Sequence, residues 1–171
     1  MSRKIFMMLM MCGALLATGA VAPGLLRVGA SDPAWAATPL EGMAGYWTGT
    51  GSVAMASGKT ERVKCSVTYK VGEAGGLIKQ NMRCASQDYA INASADLRVK
   101  GEQVSGNWEE KTYSATGQVS GRYADNSMNL NIKGANFSAA MNLSLSECKQ
   151  TIHITPQGLD VNRINIALAK C

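Results

Sequence analysis

The chain has 171 residues, 17 of them Lys or Arg and 12 of them Asp or Glu, for a formal charge of +5. A mildly basic balance of this kind falls short of the dense Lys/Arg stripe that marks a nucleic-acid surface, so no nucleic-acid partner is expected. Beyond the N-terminal run no stretch is apolar enough to cross a membrane, and the remaining length is that of one domain with a single core.

Arg3 and Lys4 precede an apolar run from Ile5 to about Ala22, broken only by Cys12, Thr18 and small residues. A short cationic region followed by an apolar core is the build of a secretory signal. Two small-x-small sites are available to end it. Ala20-Val21-Ala22 is followed by Pro23, a poor residue just after a scissile bond. Ala34-Trp35-Ala36 is followed by Ala37 and is the cleaner site. The expectation is a signal peptide over 1–36 and a single periplasmic or secreted domain over 37–171, with no stable membrane span after processing. An uncleaved anchor is the alternative, because the run is close to the ~20 residues that span a bilayer. Lipid attachment at Cys12 is disfavoured by Met11, which stands where a small residue would be expected. Removing Arg3, Lys4, Arg27 and Asp32 leaves 14 bases and 11 acids, a charge of about +3.

The mature chain opens on Gly45-Tyr46-Trp47 at the start of its first strand. Next, Val63, Cys65, Val67, Tyr69 and Val71 alternate with Arg62, Lys64, Ser66, Thr68 and Lys70, a strand with one buried face. After Glu73-Ala74-Gly75-Gly76 the alternation resumes with Ile78, Gln80, Met82 and Cys84. A hairpin centred on Ala74 and Gly75 places Cys65 directly opposite Cys84, at a separation a disulfide bridges. Closing that loop stabilises by about 3 kcal/mol. An even cysteine count in an exported domain reads as a disulfide framework, so Cys148 and Cys171 pair by elimination. Their register is looser. A turn at Pro156-Gln157-Gly158 leaves them out of step, and a bulge in the strand from Leu159 is expected, because the apolar phase shifts there from Leu159 and Val161 to Ile164, Ile166 and Leu168.

The two-residue period continues through the rest of the chain. Tyr89, Ile91, Ala93, Ala95, Leu97 and Val99 face one way. Met128, Leu130 and Ile132, then Phe137, Ala139, Met141, Leu143 and Leu145, then Ile152 and Ile154 repeat the pattern. Turn residues separate the runs at Ser57-Gly58-Lys59, Lys100-Gly101, Asp125-Asn126 and Lys133-Gly134. An internal echo also appears: Gln103-Val104-Ser105-Gly106-Asn107-Trp108 returns as Gln118-Val119-Ser120-Gly121-Arg122-Tyr123. A Gly beside an inward aromatic lets a strand bend sharply. About eight to ten single-faced strands with short turns and no parallel crossover fold as an antiparallel meander, and closure into an up-and-down barrel removes its edges. The expected fold class is therefore an all-β, antiparallel up-and-down β-barrel with two disulfides. The inward set includes Trp47, Tyr69, Met82, Tyr89, Trp108, Tyr113, Phe137 and Met141, with Gln80 the one clear polar side chain, and a filled interior is expected.

Gly45-Tyr46-Trp47 resembles the Gly-x-Trp start of lipocalins and other calycin barrels, where the Trp plugs one barrel end. Avidins begin similarly and carry small-Gly-x-aromatic strands like Ser105-Gly106-Asn107-Trp108. Residues 43–86, with Met43-Ala44-Gly45-Tyr46-Trp47, Cys65, a Gly-rich turn and Cys84, are similar to periplasmic metalloprotease inhibitors of the serralysin-inhibitor type. The second cysteine pair and the additional strands depart from that pattern. The whole mature chain resembles uncharacterised secreted proteins of alphaproteobacteria, in which the Gly-x-Trp start, the cysteine hairpin and a strand like Gly106-Asn107-Trp108-Glu109 recur. These likenesses imply a calycin-like barrel with Gly45 and Trp47 at its end. The inhibitor likeness implies, as an alternative function, insertion of the N-terminal segment Thr38 to Met43 into a protease.

No catalytic constellation or cofactor motif emerges. His153, the only histidine, lies on a polar face between Thr151 and Thr155. Glu109 and Glu110 are consecutive strand residues, so they point to opposite faces and cannot act as a facing carboxylate pair. No metal-ligand spacing, phosphate loop or nucleophile elbow is present. The expectation is a non-catalytic binding or structural module of the cell envelope, without metal or cofactor. One surface feature suggests a partner. Arg62, Lys64, Lys70, Lys79 and Arg83 share the outer face of the cysteine hairpin, with Lys70 opposite Lys79. Like charges so placed cost stability unless an anion sits on them, which points to an anionic envelope component or an acidic protein.

Overall fold

Side chains that alternate apolar and polar give each strand one face for a core and one for water. The computed structural model describes residues 39–72 and 76–171, and within them that pattern builds ten strands. They are β1 (Gly45–Met55), β2 (Thr60–Val71), β3 (Leu77–Ala85), β4 (Ala90–Lys100), β5 (Gln103–Glu110), β6 (Ala115–Ala124), β7 (Ser127–Lys133), β8 (Ser138–Ser146), β9 (Lys149–Gln157) and β10 (Val161–Ala169). A short 3-10 turn, η1 (Pro39–Met43), precedes them. The signal-type N-terminus with both cleavage sites lies outside the described residues, as does the tip of the β2–β3 hairpin.

Each strand pairs antiparallel with its neighbours in chain order, and β1 pairs with β10, so the sheet closes as an up-and-down barrel with no free edge. Cys65 lies opposite Cys84 and Lys70 opposite Lys79, as the hairpin alternation requires. Both disulfides, Cys65–Cys84 and Cys148–Cys171, are formed. The last hairpin turns later than expected. Pro156 and Gln157 belong to β9, and Pro156 stands beyond the last β9–β10 pair, Ile154 with Ile164. The turn is made by residues 158–160, which leaves Leu159 exposed rather than in a strand. Lys149 pairs with Ala169, so Cys148 and Cys171 lie just past the end of that ladder without a bulge in it. The expected bulge instead faces β1: Ala54 pairs with Arg163 but Met55 with Val161, making Asn162 the extra residue. It moves the inward phase from Val161 to Ile164 and Ile166.

The two copies of the internal echo form one antiparallel pair, β5 with β6. Val104 faces Gly121 and Gly106 faces Val119, so each inward Gly receives the Val of the other copy. Asp125 and Asn126, both in the left-handed region at φ 50° and 58°, make the tight β6–β7 turn.

The barrel has two unlike ends. β1 starts at the end covered by η1. There Leu40, Met43 and Trp47 are buried, and the Trp47 indole Nε1 donates to the Met43 carbonyl at 2.8 Å. Gly45, at φ +119°, makes the bend from η1 into β1 that a residue with a Cβ rarely adopts. From the C-terminus, the Lys170 ammonium lies 4.9 Å from the Trp47 ring centre and donates to the Gly42 carbonyl at 2.6 Å. The Cys148–Cys171 disulfide ties the residue after Lys170 to the β8–β9 turn. Trp47 thus plugs one end, and the chain terminus straps the plug.

Candidate ligand-binding cup

A ten-stranded barrel is wider than the eight-stranded size that side chains just fill. Large residues close the plugged end here, whereas toward the other end the inward positions include Ala93 and Ala95 of β4 and Ala139 of β8. The result is an apolar cavity of about 210 Å³ that opens at the end opposite η1. The interior is therefore not filled. Within the strands the alternation marked the expected inward side chains correctly, but the number of strands and the alanines at three inward positions leave space that the large side chains do not reach.

Met82, Trp108, Phe137 and Met141 line the cup together with branched aliphatic residues of β4, β6, β7 and β10. The Trp108 and Phe137 rings pack tilted, with centroids 5.5 Å apart. Trp108 stands opposite Gly117, and its indole Nε1 donates to the Lys133 carbonyl at 3.3 Å. A Cβ at Gly117 would lie 2.7 Å from that nitrogen, so the glycine makes room for the indole. Tyr113, expected inside, is 61% exposed. β5 ends at Glu110 and β6 begins at Ala115, so Tyr113 lies in the turn between them, where the two-residue period does not hold.

Three polar side chains matter inside the barrel. Gln80 lines the cup, and no side-chain hydrogen bond among the described residues involves its amide. Deeper, Gln150 is 1% exposed and accepts a 3.1 Å hydrogen bond from the Tyr69 hydroxyl through Oε1, while its Nε2 has no partner among the described residues. Burial holds the Tyr69 phenol far above its ordinary pKa, and the bond to Gln150 offsets this only in part. Near the mouth, Glu110 is buried. Burial alone would raise its pKa, but backbone N–H groups of Asn92, Thr112 and Tyr113 donate to its carboxylate at 2.6–2.9 Å and hold it below the ordinary value. Glu110 therefore pins the β5–β6 turn and sets Tyr113 beside Tyr89, their ring centres 6.2 Å apart. The sequence reading set Glu109 and Glu110 on opposite faces without placing Glu110 inside, and it passed over Gln150. The signal was available: Gln150 shares parity with Ile152 and Ile154, and Glu110 with Val104 and Trp108.

The basic side chains Arg62, Lys64, Lys70, Lys79 and Arg83 are all exposed on the outer face of β2 and β3. The Lys70–Lys79 opposition is relieved on the far side, where Lys79 lies 3.8 Å from Asp96 of β4. Arg62, Lys64, Lys70 and Arg83 have no carboxylate partner among the described residues. His153 is exposed on the barrel exterior, its Nδ1 2.7 Å from the Asn165 side-chain oxygen. Residues 39–43, the described part of the segment that would enter a protease, are folded into the barrel's own plug, with Leu40 and Met43 in the core. The outer grooves, such as the one over β5–β8 lined by Asn107, Gln118 and Asn131, are open troughs between polar side chains.

A closed meander with one plugged and one open end defines an up-and-down β-barrel of a form consistent with calycin-like barrels and compatible with a ligand-binding module. No protein-family model and no curated protein sequence matches the chain. Solved structures do match its fold. Rv2717c from M. tuberculosis superposes with a TM-score of 0.60 at 11% identity, covering 79% of this chain and 98% of that one. The S-type phycobiliprotein lyase CPES from Guillardia theta gives 0.57 at 10% identity, covering 77% and 90%. A protein of unknown function of the DUF3598 family from Nostoc punctiforme gives 0.56 at 12% identity, covering 77% of this chain and 48% of its own. At such identities the likeness is one of fold.

Proposed function

We propose that this protein is an exported, non-catalytic binding module that holds a small, largely apolar molecule in the open cup. The observation that carries this reading is the cavity itself. An apolar cavity of about 150 Å³ stays dry and takes up benzene, and the cup is larger than that and open to solvent. Export is supported by the signal-type N-terminus and by two disulfides, which persist in oxidising compartments. A non-catalytic role is favoured because Glu110, the cup's one carboxylate among the described residues, already accepts three backbone N–H bonds, and His153 lies outside the barrel. An inhibitor role for the N-terminal segment is disfavoured, since using it would withdraw Leu40 and Met43 from the core.

Naphthalene is a suitable test ligand, read through the Trp108 indole resonance in ¹H–¹⁵N spectra. It should shift that resonance saturably, and Ala93→Phe, which fills the cup near its mouth, should weaken the effect at least tenfold. Naphthalene binding that is indifferent to Ala93→Phe would place the ligand elsewhere and sink the proposal.

A second contact rests on Arg62, Lys64, Lys70 and Arg83, which have no carboxylate partner among the described residues and share one face. An anionic envelope component or acidic protein would meet them there, at low ionic strength most strongly.

A further inference from the structure

If the cup is the binding site, its few polar groups decide what it accepts. Among the described residues its wall contains no Lys, Arg or His, so none of them neutralises a carboxylate, phosphate or sulfate. Burying an uncompensated charge there is unfavourable. The single ionised group at the wall is Glu110, whose negative charge adds repulsion to any anion that enters. Toward an ammonium, Glu110 keeps its negative charge but has little acceptor capacity left. Oε1 already accepts from the backbone N–H groups of Asn92 and Thr112, and Oε2 from that of Tyr113.

Gln80 differs from Glu110. It lies on β3 beside Tyr69 of β2 and Ala95 of β4, only one inward position from Ile78 at the plugged end. Its amide makes no hydrogen bond to the protein among the described residues, and it faces the cavity. An amide so placed offers a donor and an acceptor at the deep end of an otherwise apolar cup. Gln80 is half-buried, and a polar group so placed that a ligand can pair it gives a pocket orientation and specificity. Met82 and Met141 bend around irregular shapes, so the apolar part of the ligand is selected by size more than by outline.

We infer that the cup selects uncharged ligands carrying one hydrogen-bonding end group, such as a primary amide, alcohol or ketone, which enter polar end first and pair with the Gln80 amide, and that it rejects carboxylates of the same shape. The cavity volume of about 210 Å³ suits a body of one ring with a short side chain, a modest step up from benzene.

The test uses three probes of one skeleton: propylbenzene, phenylacetamide and phenylacetate, titrated by calorimetry against the disulfide-bonded protein and its Gln80→Leu variant. In the wild type, phenylacetamide should bind at least tenfold tighter than phenylacetate. Gln80→Leu should weaken phenylacetamide about tenfold and leave propylbenzene as tight or tighter, which also shows that the variant is folded. Wild-type binding of propylbenzene with an amide-to-carboxylate ratio near one, or an amide-to-hydrocarbon ratio unchanged by Gln80→Leu, would overturn this inference while leaving the cup as the site. Failure of all three probes to bind the wild type would overturn both.

Discussion

Removing both polar partners of the buried Tyr69–Gln150 pair should stabilise the protein, although removing the tyrosine hydroxyl alone should destabilise it. Both side chains are almost completely buried, at 3% and 1% exposure, and their single mutual bond leaves the Gln150 Nε2 without a partner. In Tyr69→Phe the whole Gln150 amide is orphaned, which costs about 1–3 kcal/mol. In Gln150→Leu the tyrosine hydroxyl is orphaned instead, but the orphaned amide disappears and apolar surface is buried in its place. These effects oppose each other, and the net change should lie within about 1 kcal/mol of zero. The double variant Tyr69→Phe/Gln150→Leu removes both polar groups of the pair and should exceed the wild type by about 1–2 kcal/mol. Urea unfolding of the four proteins with disulfides intact, followed by tryptophan fluorescence and by circular dichroism, measures the cycle. A double variant less stable than Tyr69→Phe alone would refute the reasoning, since it would mean that the Gln150 amide is fully paired inside the barrel.

Glu110→Gln should cost about 1–2 kcal/mol and loosen the β5–β6 turn, read as faster amide exchange at Thr112 and Tyr113. Because the Glu110 pKa is lowered on folding, its contribution is complete above the ordinary carboxylate pKa and is lost as pH falls through the lower folded value. The gap in stability between wild type and Glu110→Gln should therefore close in acid and not in alkali. Gly117→Ala should cost about 1–3 kcal/mol and shift Trp108 emission, because the new Cβ meets both the indole and the Lys133 backbone; an unchanged spectrum and midpoint would contradict the packing described. Lys64→Glu/Arg83→Glu should abolish binding to anionic vesicles at low salt with thermal stability nearly unchanged, and if the wild type shows no such binding the basic-face contact is to be dropped. N-terminal sequencing of the exported protein should begin at Ala37.

The strands and their pairing were legible because one face of each is buried, and a slip of one residue would turn every apolar side chain outward. That constraint places Cys65 opposite Cys84 and Lys70 opposite Lys79 without any knowledge of the structure. Legibility failed where the chain leaves the sheet. Tyr113 shares the parity of Gly117 and Val119 of β6 on paper, but it lies in the turn before that strand, where Glu110 captures the N–H groups of Thr112 and Tyr113 and carries the ring outside. The turn at residues 158–160 was misplaced because Pro156 and Gly158 look like a turn together, whereas Pro156 tolerates a strand position beyond the last β9–β10 pair. The cup was hidden for a different reason. Alternation says which way a side chain points, not whether opposite walls meet. Ala93, Ala95 and Ala139 are as apolar as leucine in a pattern but far shorter in a barrel closed by ten strands.

The most direct test of the account is a crystal structure of residues 37–171 with propylbenzene. The account predicts ligand density inside the barrel, bounded by Met82, Trp108, Phe137 and Met141, with Trp47 still sealing the opposite end. A barrel whose side chains close over that space and leave no density there, with propylbenzene absent or bound on the outer surface, would contradict it.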